Sequence, residues 1–193
     1  MLAPEAGSDR DPGAEPALAS TIVELAGALD LRVAVAESLT GGLLAGVIVG
    51  VPGASRVLSG GIVAYDTGLK RTLLGVDPEL LAKRGPVDGE VARQMAHGAR
   101  LACAVDRGDP GGLRPADIGV ATTGVAGPDP DPQTGQPAGT VWIGVSVGGL
   151  DSAHLISLHG SRAEIRSGAV RAALRLVRDA LLDLESRATR ATD

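Results

Sequence analysis

Strand-like and helix-like segments follow one another along this chain without strict alternation. Short apolar or β-branched runs bounded by Gly, Pro and Asp predict strands at residues 32–36, 56–65, 117–122, 139–147 and 151–159. Apolar residues at helical spacing predict helices at residues 17–29, 41–51, 69–74, 77–83, 88–105 and 165–181. Strict alternation would indicate a doubly wound nucleotide-binding fold. Its absence predicts an α/β fold instead, a single-domain three-layer sandwich in which helices cover a mixed β-sheet.

The core of this domain has to be aliphatic. The 193 residues suit one compact domain, and its apolar residues are mostly Ala, Val and Leu. Phenylalanine is absent, and Tyr65 and Trp142 are the only aromatic residues of the Phe, Trp and Tyr class. Each of these two positions is therefore a rare choice for this chain.

The two ends of the chain differ in composition from the middle. Residues 1–15 are rich in Pro, Gly and acidic residues and lack the basic and apolar regions of a signal peptide, so we expect a disordered tail. The domain is then predicted to span residues 16–187, with a flexible tail at 188–193. Cys103 is the only cysteine, which excludes an internal disulfide and favours a cytoplasmic location.

Charge, hydropathy and histidine spacing exclude several classes of partner. The net charge is −5 and no basic run occurs, so we expect no nucleic acid. No apolar stretch reaches the ~18 residues that a membrane span needs, so we expect no membrane partner. His97, His154 and His159 lack metal-ligand spacing and are interpreted as structural or surface residues, which leaves no predicted metal site.

Ser38 is a candidate nucleophile because of its place between a predicted strand and a helix that starts at glycine. Unpaired N–H groups at a helix N-terminus carry partial positive charge and can stabilise an oxyanion. The alternative is that Ser38 or Thr40 only caps the helix, which is the commonest role of such residues.

Lys70 and Tyr65 are further candidates. The chain has two lysines, Lys70 and Lys83, against sixteen arginines. A desolvated lysine can lose its proton whereas arginine cannot, so a lysine kept in an arginine-rich chain hints at proton transfer. Tyr65 lies five residues before Lys70, where its hydroxyl could relay a proton. The alternatives are a solvated lysine and a tyrosine at the edge of the core.

The segment 123–138 is a long Gly/Pro/Asp loop without periodicity. Its Thr-Thr-Gly-Val-Ala-Gly-Pro start exposes backbone N–H groups that can bind an anion or a carbonyl, although a solvent-facing connection remains open. Arg162 and Arg166 are four residues apart and would share one helical face. They fit either a phosphate site or a basic pair at the surface.

Several blocks of the sequence match one family in order and spacing. They are Ala36-Glu37-Ser38-Leu39-Thr40-Gly41-Gly42, Val51-Pro52-Gly53-Ala54-Ser55, Gly60-Gly61-Ile62-Val63-Ala64-Tyr65, Thr123-Gly124-Val125-Ala126-Gly127-Pro128, Gly139-Thr140-Val141-Trp142 and Arg162-Ala163-Glu164-Ile165-Arg166. The chain resembles, over residues 17–184, the CinA C-terminal domain family, whose characterised members include nicotinamide-nucleotide amidases of NAD salvage.

The resemblance implies hydrolysis of the carboxamide of nicotinamide mononucleotide to nicotinate mononucleotide and ammonia. It implies Ser38 as the nucleophile with Tyr65 and Lys70 as its partners. The substrate-binding residues that it implies are Thr40, Gly41, Gly42, Thr123, Gly124, Gly127 and Arg162. It further implies a homo-oligomer, usually a dimer, with neither metal nor cofactor.

Three positions depart from the family pattern. Leu39 replaces a frequent cysteine, Asp88 replaces a frequent serine, and residues 129–136 replace a commonly Gly-rich loop. Two other functions stay open from the sequence. One is a non-catalytic nucleotide-binding module, and the other is a hydrolase of a different small amide.

Overall fold

A computed structural model describes residues 14–108 and 111–192. The strands are β1 (Val33–Glu37), β2 (Leu58–Val63), β3 (Val105–Asp106), β4 (Leu113–Arg114), β5 (Ile118–Gly124), β6 (Thr140–Val147) and β7 (Leu150–Ser157). The helices are α1 (Ala14–Ala28), α2 (Leu43–Val49), α3 (Thr67–Leu74), α4 (Pro78–Arg84), α5 (Gly89–Ala102) and α6 (Arg162–Thr192). A single 3-10 turn at Ala54–Arg56 precedes β2.

The main sheet has five strands in the order β2-β1-β5-β6-β7. Strand β1 is parallel to both of its neighbours, whereas β5, β6 and β7 pair antiparallel. In the register of the parallel strands, Glu37 at the end of β1 lies beside Val63 and Thr122. The carboxyl ends of three strands therefore meet at one edge of the sheet. This arrangement confirms the predicted mixed sheet.

Helices cover both faces of the sheet, as the three-layer prediction requires. One face packs against α1, α2 and α6 around the aliphatic residues Ile22, Leu44, Ile48, Ile143 and Leu174. The other packs against α3 and α5 around Leu74, Val91 and Met95. Helix α5 can approach the sheet closely because Gly144 lies beneath it. A Cβ at this position would be 2.0 Å from the carbonyl oxygen of Ala92.

The ends of the domain differ from the predicted boundaries. Helix α1 begins at Ala14, so Ala14 and Glu15 are helical although they were assigned to the disordered tail. The Glu15 carboxylate binds Ser167 and Arg171 of α6, which explains why the helix extends this far. Residues 1–13 of the predicted tail lie outside the described residues. Helix α6 continues through residues 188–192, which were predicted to be a flexible tail.

Helix α5 ends earlier than its apolar pattern predicts. Its N-cap is Asp88, the first residue of the predicted helix, since the Asp88 side chain accepts hydrogen bonds from the amides of Glu90 and Val91. The helix ends at Ala102, three residues before the predicted end at residue 105. The residues after it form β3, which pairs with β4 in a separate two-stranded sheet. Among the described helices, none is long and apolar enough to cross a membrane.

Candidate active site

Ser38 lies directly after β1, at the sheet edge where the ends of the parallel strands meet. Its amide donates to the carbonyl oxygen of Thr122 at 2.9 Å and so continues the pairing with β5 by one residue. The chain then turns through residues 38–42, which we call the serine turn, and enters α2. Ser38 is nearly buried, with 9% of its surface exposed, and its side chain faces a cavity.

Lys70 comes from a different part of the chain and contacts Ser38 directly. It lies in α3, which begins after β2 with Asp66 as its N-cap. The Lys70 Nζ lies 3.0 Å from Ser38 Oγ and 2.9 Å from the carbonyl oxygen of Ala64. Lys70 is among the most buried large side chains of the protein, with 1% of its surface exposed.

Burial changes the protonation of this lysine. Desolvation penalises the ammonium and lowers the pKa of Lys70 from the usual 10.5 to about 8, while the nearby Asp66 carboxylate acts in the opposite direction. A measurable fraction of the amine is therefore neutral near neutral pH. A neutral amine can donate to Ala64 and still accept the hydroxyl proton of Ser38 with its lone pair.

Tyr65 lies at the wall of the same cavity but contacts neither Ser38 nor Lys70. Its side chain is 59% exposed, and its hydroxyl accepts a hydrogen bond of 2.9 Å from Nη2 of Arg162. Arg162 also donates from Nη1 to the carbonyl oxygen of Gly127 at 2.8 Å. Tyr65 thus holds one side of a guanidinium whose partners are both uncharged. Its hydroxyl bonds to neither Ser38 nor Lys70 here, and the relay role that the sequence allows Tyr65 stays a prediction.

The cavity has a volume of about 430 Å³ and is bounded by segments distant in sequence. Its lining includes Ser38, Leu39, Tyr65 and Lys70, Arg162 from the start of α6, and residues 124–132. Of the predicted substrate-binding residues, Gly124, Gly127 and Arg162 line the cavity.

The remaining predicted binding residues lie outside the cavity, among its supports. The Thr40 hydroxyl is 2.7 Å from that of Thr122, and both side chains are buried. The Thr123 hydroxyl donates to the carbonyl oxygen of Pro86 at 2.7 Å. Gly41 and Gly42 have φ angles of 59° and 96°, so they supply the left-handed backbone that the serine turn needs. These residues shape the site and do not border it.

Most N–H groups of the serine turn are already occupied. The Gly41 amide donates to the carbonyl oxygen of Ser38, and the Gly42 amide donates to the Glu37 carboxylate. The amides of Leu39 and Thr40 have no acceptor within the described parts of the chain, and Leu39 borders the cavity. Of the N–H groups at residues 39–42, the Leu39 amide is therefore best placed to donate to an oxyanion.

The loop after β5 supplies further free amides. Gly124 and Val125 are held by pairing with the start of β6. The amides of Ala126 and Gly127 border the cavity and have no acceptor among residues 14–108 and 111–192. The expectation that this segment presents N–H groups to a ligand stays a prediction.

Residues 129–132 line the cavity, and the residues that follow them, 133–136, anchor this loop. The Asp131 carboxylate accepts hydrogen bonds from the amides of Gln133 and Thr134 and so closes a tight turn. The side chain of Gln133 donates to carbonyl oxygens of α4, and that of Gln136 donates to Val87. The loop is therefore attached to α4 and to Val87.

Two residues that support the serine turn are not predicted from the sequence. Glu37 is buried and holds the start of α2. Arg166, which was weighed as half of a phosphate site or a surface pair, donates instead to the carbonyl oxygens of Leu39 and Thr40 at 2.9 and 2.8 Å. The position of Glu37 directly before the candidate nucleophile was the one available signal. Nothing in the sequence places Arg166 against residue 39.

The described residues contain no group of three or more His, Cys, Asp or Glu side chains that could hold a metal ion. The histidines lie away from the cavity. His97 is paired with Asp151 at 3.3 Å, and His154 contacts Ser152.

Comparison with known proteins decides the family. The family model described as the CinA C-terminal domain matches residues 15–181. The chain belongs to this family. A CinA-like protein of Frankia casuarinae is 42% identical over 172 residues, covering 89% of this chain and 37% of that protein. A putative competence-damage inducible protein of Geobacillus kaustophilus is 44% identical over 135 residues, covering 69% of this chain and 30% of its own length.

Solved structures of the CinA family have the same fold. The competence/damage inducible protein CihA of Agrobacterium tumefaciens superposes with a TM-score of 0.77 at 36% identity, covering 88% of this chain and 96% of that one. A CinA superfamily protein of Klebsiella pneumoniae gives 0.78 at 27% identity, covering 88% and 98%. The chain thus matches nearly all of these solved proteins but only about a third of the length of the curated relatives.

Proposed function

We propose that this CinA-family domain is an amidohydrolase that converts nicotinamide mononucleotide to nicotinate mononucleotide and ammonia, with Ser38 as nucleophile and Lys70 as general base. The observation that carries the proposal is the direct contact between Ser38 Oγ and the buried Nζ of Lys70 at 3.0 Å. A serine hydroxyl is a weak nucleophile until a base takes its proton. A desolvated lysine at hydrogen-bond distance is such a base.

In the acylation step, neutral Lys70 accepts the hydroxyl proton while Ser38 Oγ forms a bond to the amide carbon. The carbonyl π electrons move to the oxygen, which becomes an oxyanion. The amide of Leu39 borders the cavity and is free to donate to this oxygen, with Ala126 and Gly127 as further donors in the cavity lining. Pre-oriented donors of this kind are worth roughly 2.7–4 kcal/mol each in known enzymes.

Collapse of the tetrahedral intermediate breaks the C–N bond. Lys70, now an ammonium, returns its proton to the departing nitrogen, and ammonia leaves. Water then enters, gives a proton to Lys70 and attacks the ester carbon. Lys70 returns this proton to Ser38 Oγ as the ester bond breaks, which restores the starting state. The carboxylic acid group of the product gives its proton to solvent, so the second product is the carboxylate of nicotinate mononucleotide.

Arg162, which also lines the cavity, suits the phosphate of the nucleotide. The Arg162 guanidinium binds two neutral oxygens, those of Tyr65 and Gly127. A phosphate would provide a charge-assisted and stronger acceptor than either. We therefore assign Arg162 to the substrate phosphate and Tyr65 to the placement of Arg162.

Ammonia release from purified protein with nicotinamide mononucleotide tests the proposal. The expected result is turnover by the wild type and by Ser152→Ala, a control in which a hydroxyl of β7 outside the cavity is removed, and none by folded Ser38→Ala. Nicotinamide and nicotinamide riboside, assayed in parallel, should be poor substrates. Turnover of another amide alone, or nucleotide binding without ammonia release by the wild type, would replace this assignment.

A further inference from the structure

Glu37 has an unusual position for a charged residue. It is the last residue of β1 and directly precedes Ser38, yet only 1% of its surface is exposed. Its carboxylate accepts three backbone hydrogen bonds, from Gly42 at 2.9 Å, Leu44 at 3.0 Å and Ala45 at 2.9 Å. A buried carboxylate is stabilised where several N–H groups converge on it.

These three amides belong to the start of α2, a helix without a cap of its own. The residue at its N-cap position is Gly42, which has no side chain to accept a hydrogen bond. The first N–H groups of a helix lack partners within the helix and need acceptors from elsewhere. Here the acceptor comes from the strand before the serine turn, so one side chain joins the two ends of that turn.

The joined ends leave Ser38 little freedom. Its own amide is fixed on Thr122, the residue before it is tied to α2, and Arg166 holds the carbonyl oxygens of Leu39 and Thr40. The Glu37 carboxylate binds N–H groups at the end of the serine turn and the start of α2, whereas the Arg166 guanidinium binds carbonyl oxygens of the serine turn. A negative and a positive side chain thus hold the backbone on either side of Ser38.

We propose that Glu37 is a positioning residue that holds Ser38 Oγ on the Lys70 amine and that its carboxylate takes no part in the reaction. The proposal rests on Ser38 being the nucleophile of the proposed function. Glu37 is absent from the cavity lining, so its carboxylate has no direct contact with a bound substrate. A change at Glu37 should therefore affect the reactivity of Ser38 and leave ligand binding unchanged.

A fluorophosphonate probe measures that reactivity without any nicotinamide substrate. Ser38 Oγ attacks phosphorus, fluoride leaves, and Lys70 takes the hydroxyl proton. The final amplitude counts intact sites, and the rate reports the alignment of Ser38 with its base. Labelling must be absent in Ser38→Ala. Wild-type labelling without ammonia release would refute the proposed substrate and would leave the Glu37 test intact.

The decisive variant is Glu37→Gln, which keeps the shape but replaces one acceptor oxygen by NH₂. We expect full amplitude with a labelling rate lowered roughly tenfold to a hundredfold, since a displacement of about 1 Å can cost on the order of a hundredfold. With nicotinamide mononucleotide, kcat should fall and KM should stay within about twofold of the wild type. Glu90→Gln is the matched control, because Glu90 lies on α5 and bonds to Arg93 and Gln94 away from the cavity.

Glu37→Asp keeps the charge and shortens the side chain by one methylene. It should label faster than Glu37→Gln and more slowly than the wild type. A wild-type labelling rate in Glu37→Gln, or in Glu37→Asp where the Gln variant does not fold, would overturn the proposal. Failure of both variants to fold would also overturn it, because Glu37 would then serve the fold and not the alignment of Ser38.

Discussion

Lys70 Nζ lies 3.0 Å from Ser38 Oγ with no residue between them. The two side chains come from α3 and from the end of β1, 32 residues apart in sequence. The contact makes a direct proton transfer from Ser38 to Lys70 geometrically possible.

Replacing Lys70 by arginine should remove most of the turnover. Arginine keeps the positive charge but does not give up its proton, so it cannot act as a base. We expect kcat to fall at least about a hundredfold, within the range attributed to general acid–base catalysis. Substrate binding, measured by calorimetry, should change little. Lys83→Arg is the matched control, since Lys83 is the only other lysine and forms an exposed pair with Glu79. Near-normal turnover of Lys70→Arg would mean that Lys70 acts only through its charge.

The pH dependence of kcat/KM should report the ionisation of Lys70. The base must be neutral, so activity should rise with pH through the Lys70 pKa of about 8 and level off above it. Asp66→Asn removes the carboxylate that raises this pKa, so the rise should move to lower pH. Asparagine remains a good N-cap, which preserves the start of α3. A profile that does not move in Asp66→Asn would exclude Lys70 as the titrating group.

Lys70→Met should be inactive and more stable than the wild type at neutral pH. Because the pKa of Lys70 falls from 10.5 to about 8 on folding, the unfolded chain binds more protons between these values and the wild type gains stability as pH rises. Below pH 8 the full cost of the buried ammonium is present, on the order of 3 kcal/mol before the loss of two hydrogen bonds is counted. Urea unfolding at pH 7 and pH 10 should show the advantage of Lys70→Met shrinking at the higher pH. An advantage that grows with pH would contradict the sign of this linkage.

Tyr65 and Arg162 should act as one unit. The Tyr65 hydroxyl accepts a hydrogen bond from Arg162, so Tyr65→Phe should raise KM for the phosphorylated substrate by a few-fold and have a smaller effect on kcat. In an Arg162→Gln background the same substitution should have almost no further effect on KM. A double-mutant cycle in steady-state kinetics measures this coupling. Additive effects would show that Tyr65 acts on the substrate independently of Arg162, as the predicted proton relay requires.

Truncations should locate the start of the folded domain. Residues 1–13 contain few apolar side chains, and their removal should leave the thermal unfolding midpoint unchanged. Removal of residues 1–15 also takes away Glu15, which binds Ser167 and Arg171 of α6, and should lower the midpoint by a few degrees. Equal midpoints for the two truncations would indicate that the contact of Glu15 contributes nothing to stability.

Local patterns in the sequence predict the helices and strands of this fold better than they predict the residues that support the candidate site. The apolar patterns predict α5 and the strands β6 and β7. They misplace the end of α5, because an apolar residue such as Val105 continues the helical pattern while pairing with β4. From local patterns alone Ser38 and Lys70 stay candidates beside their structural alternatives, and the folded chain shows that their side chains lie 3.0 Å apart.

The supports depend on contacts that no local pattern contains. Thr40 and Thr123 look like binding residues because they lie in the same blocks as the candidate nucleophile and the loop. Only the folded chain shows that their hydroxyls bind Thr122 and Pro86. The same holds for Arg166, whose partners lie 126 and 127 residues earlier. Residues of one sequence block lie close to the candidate site, but only the folded chain shows which of them border the cavity.

The loop of residues 129–136 and the contact between Ser38 and Lys70 are held by different parts of the fold. Gln133 and Gln136 attach this loop to α4 and to Val87, whereas Ser38 and Lys70 are held by β1, α2 and α3. Substitutions in the loop can therefore alter which molecule fits the cavity while the distance between the reactive atoms stays the same. For protein engineering, exchange of residues 129–136 between family members is expected to change what fits the cavity and to retain the contact between Ser38 and Lys70.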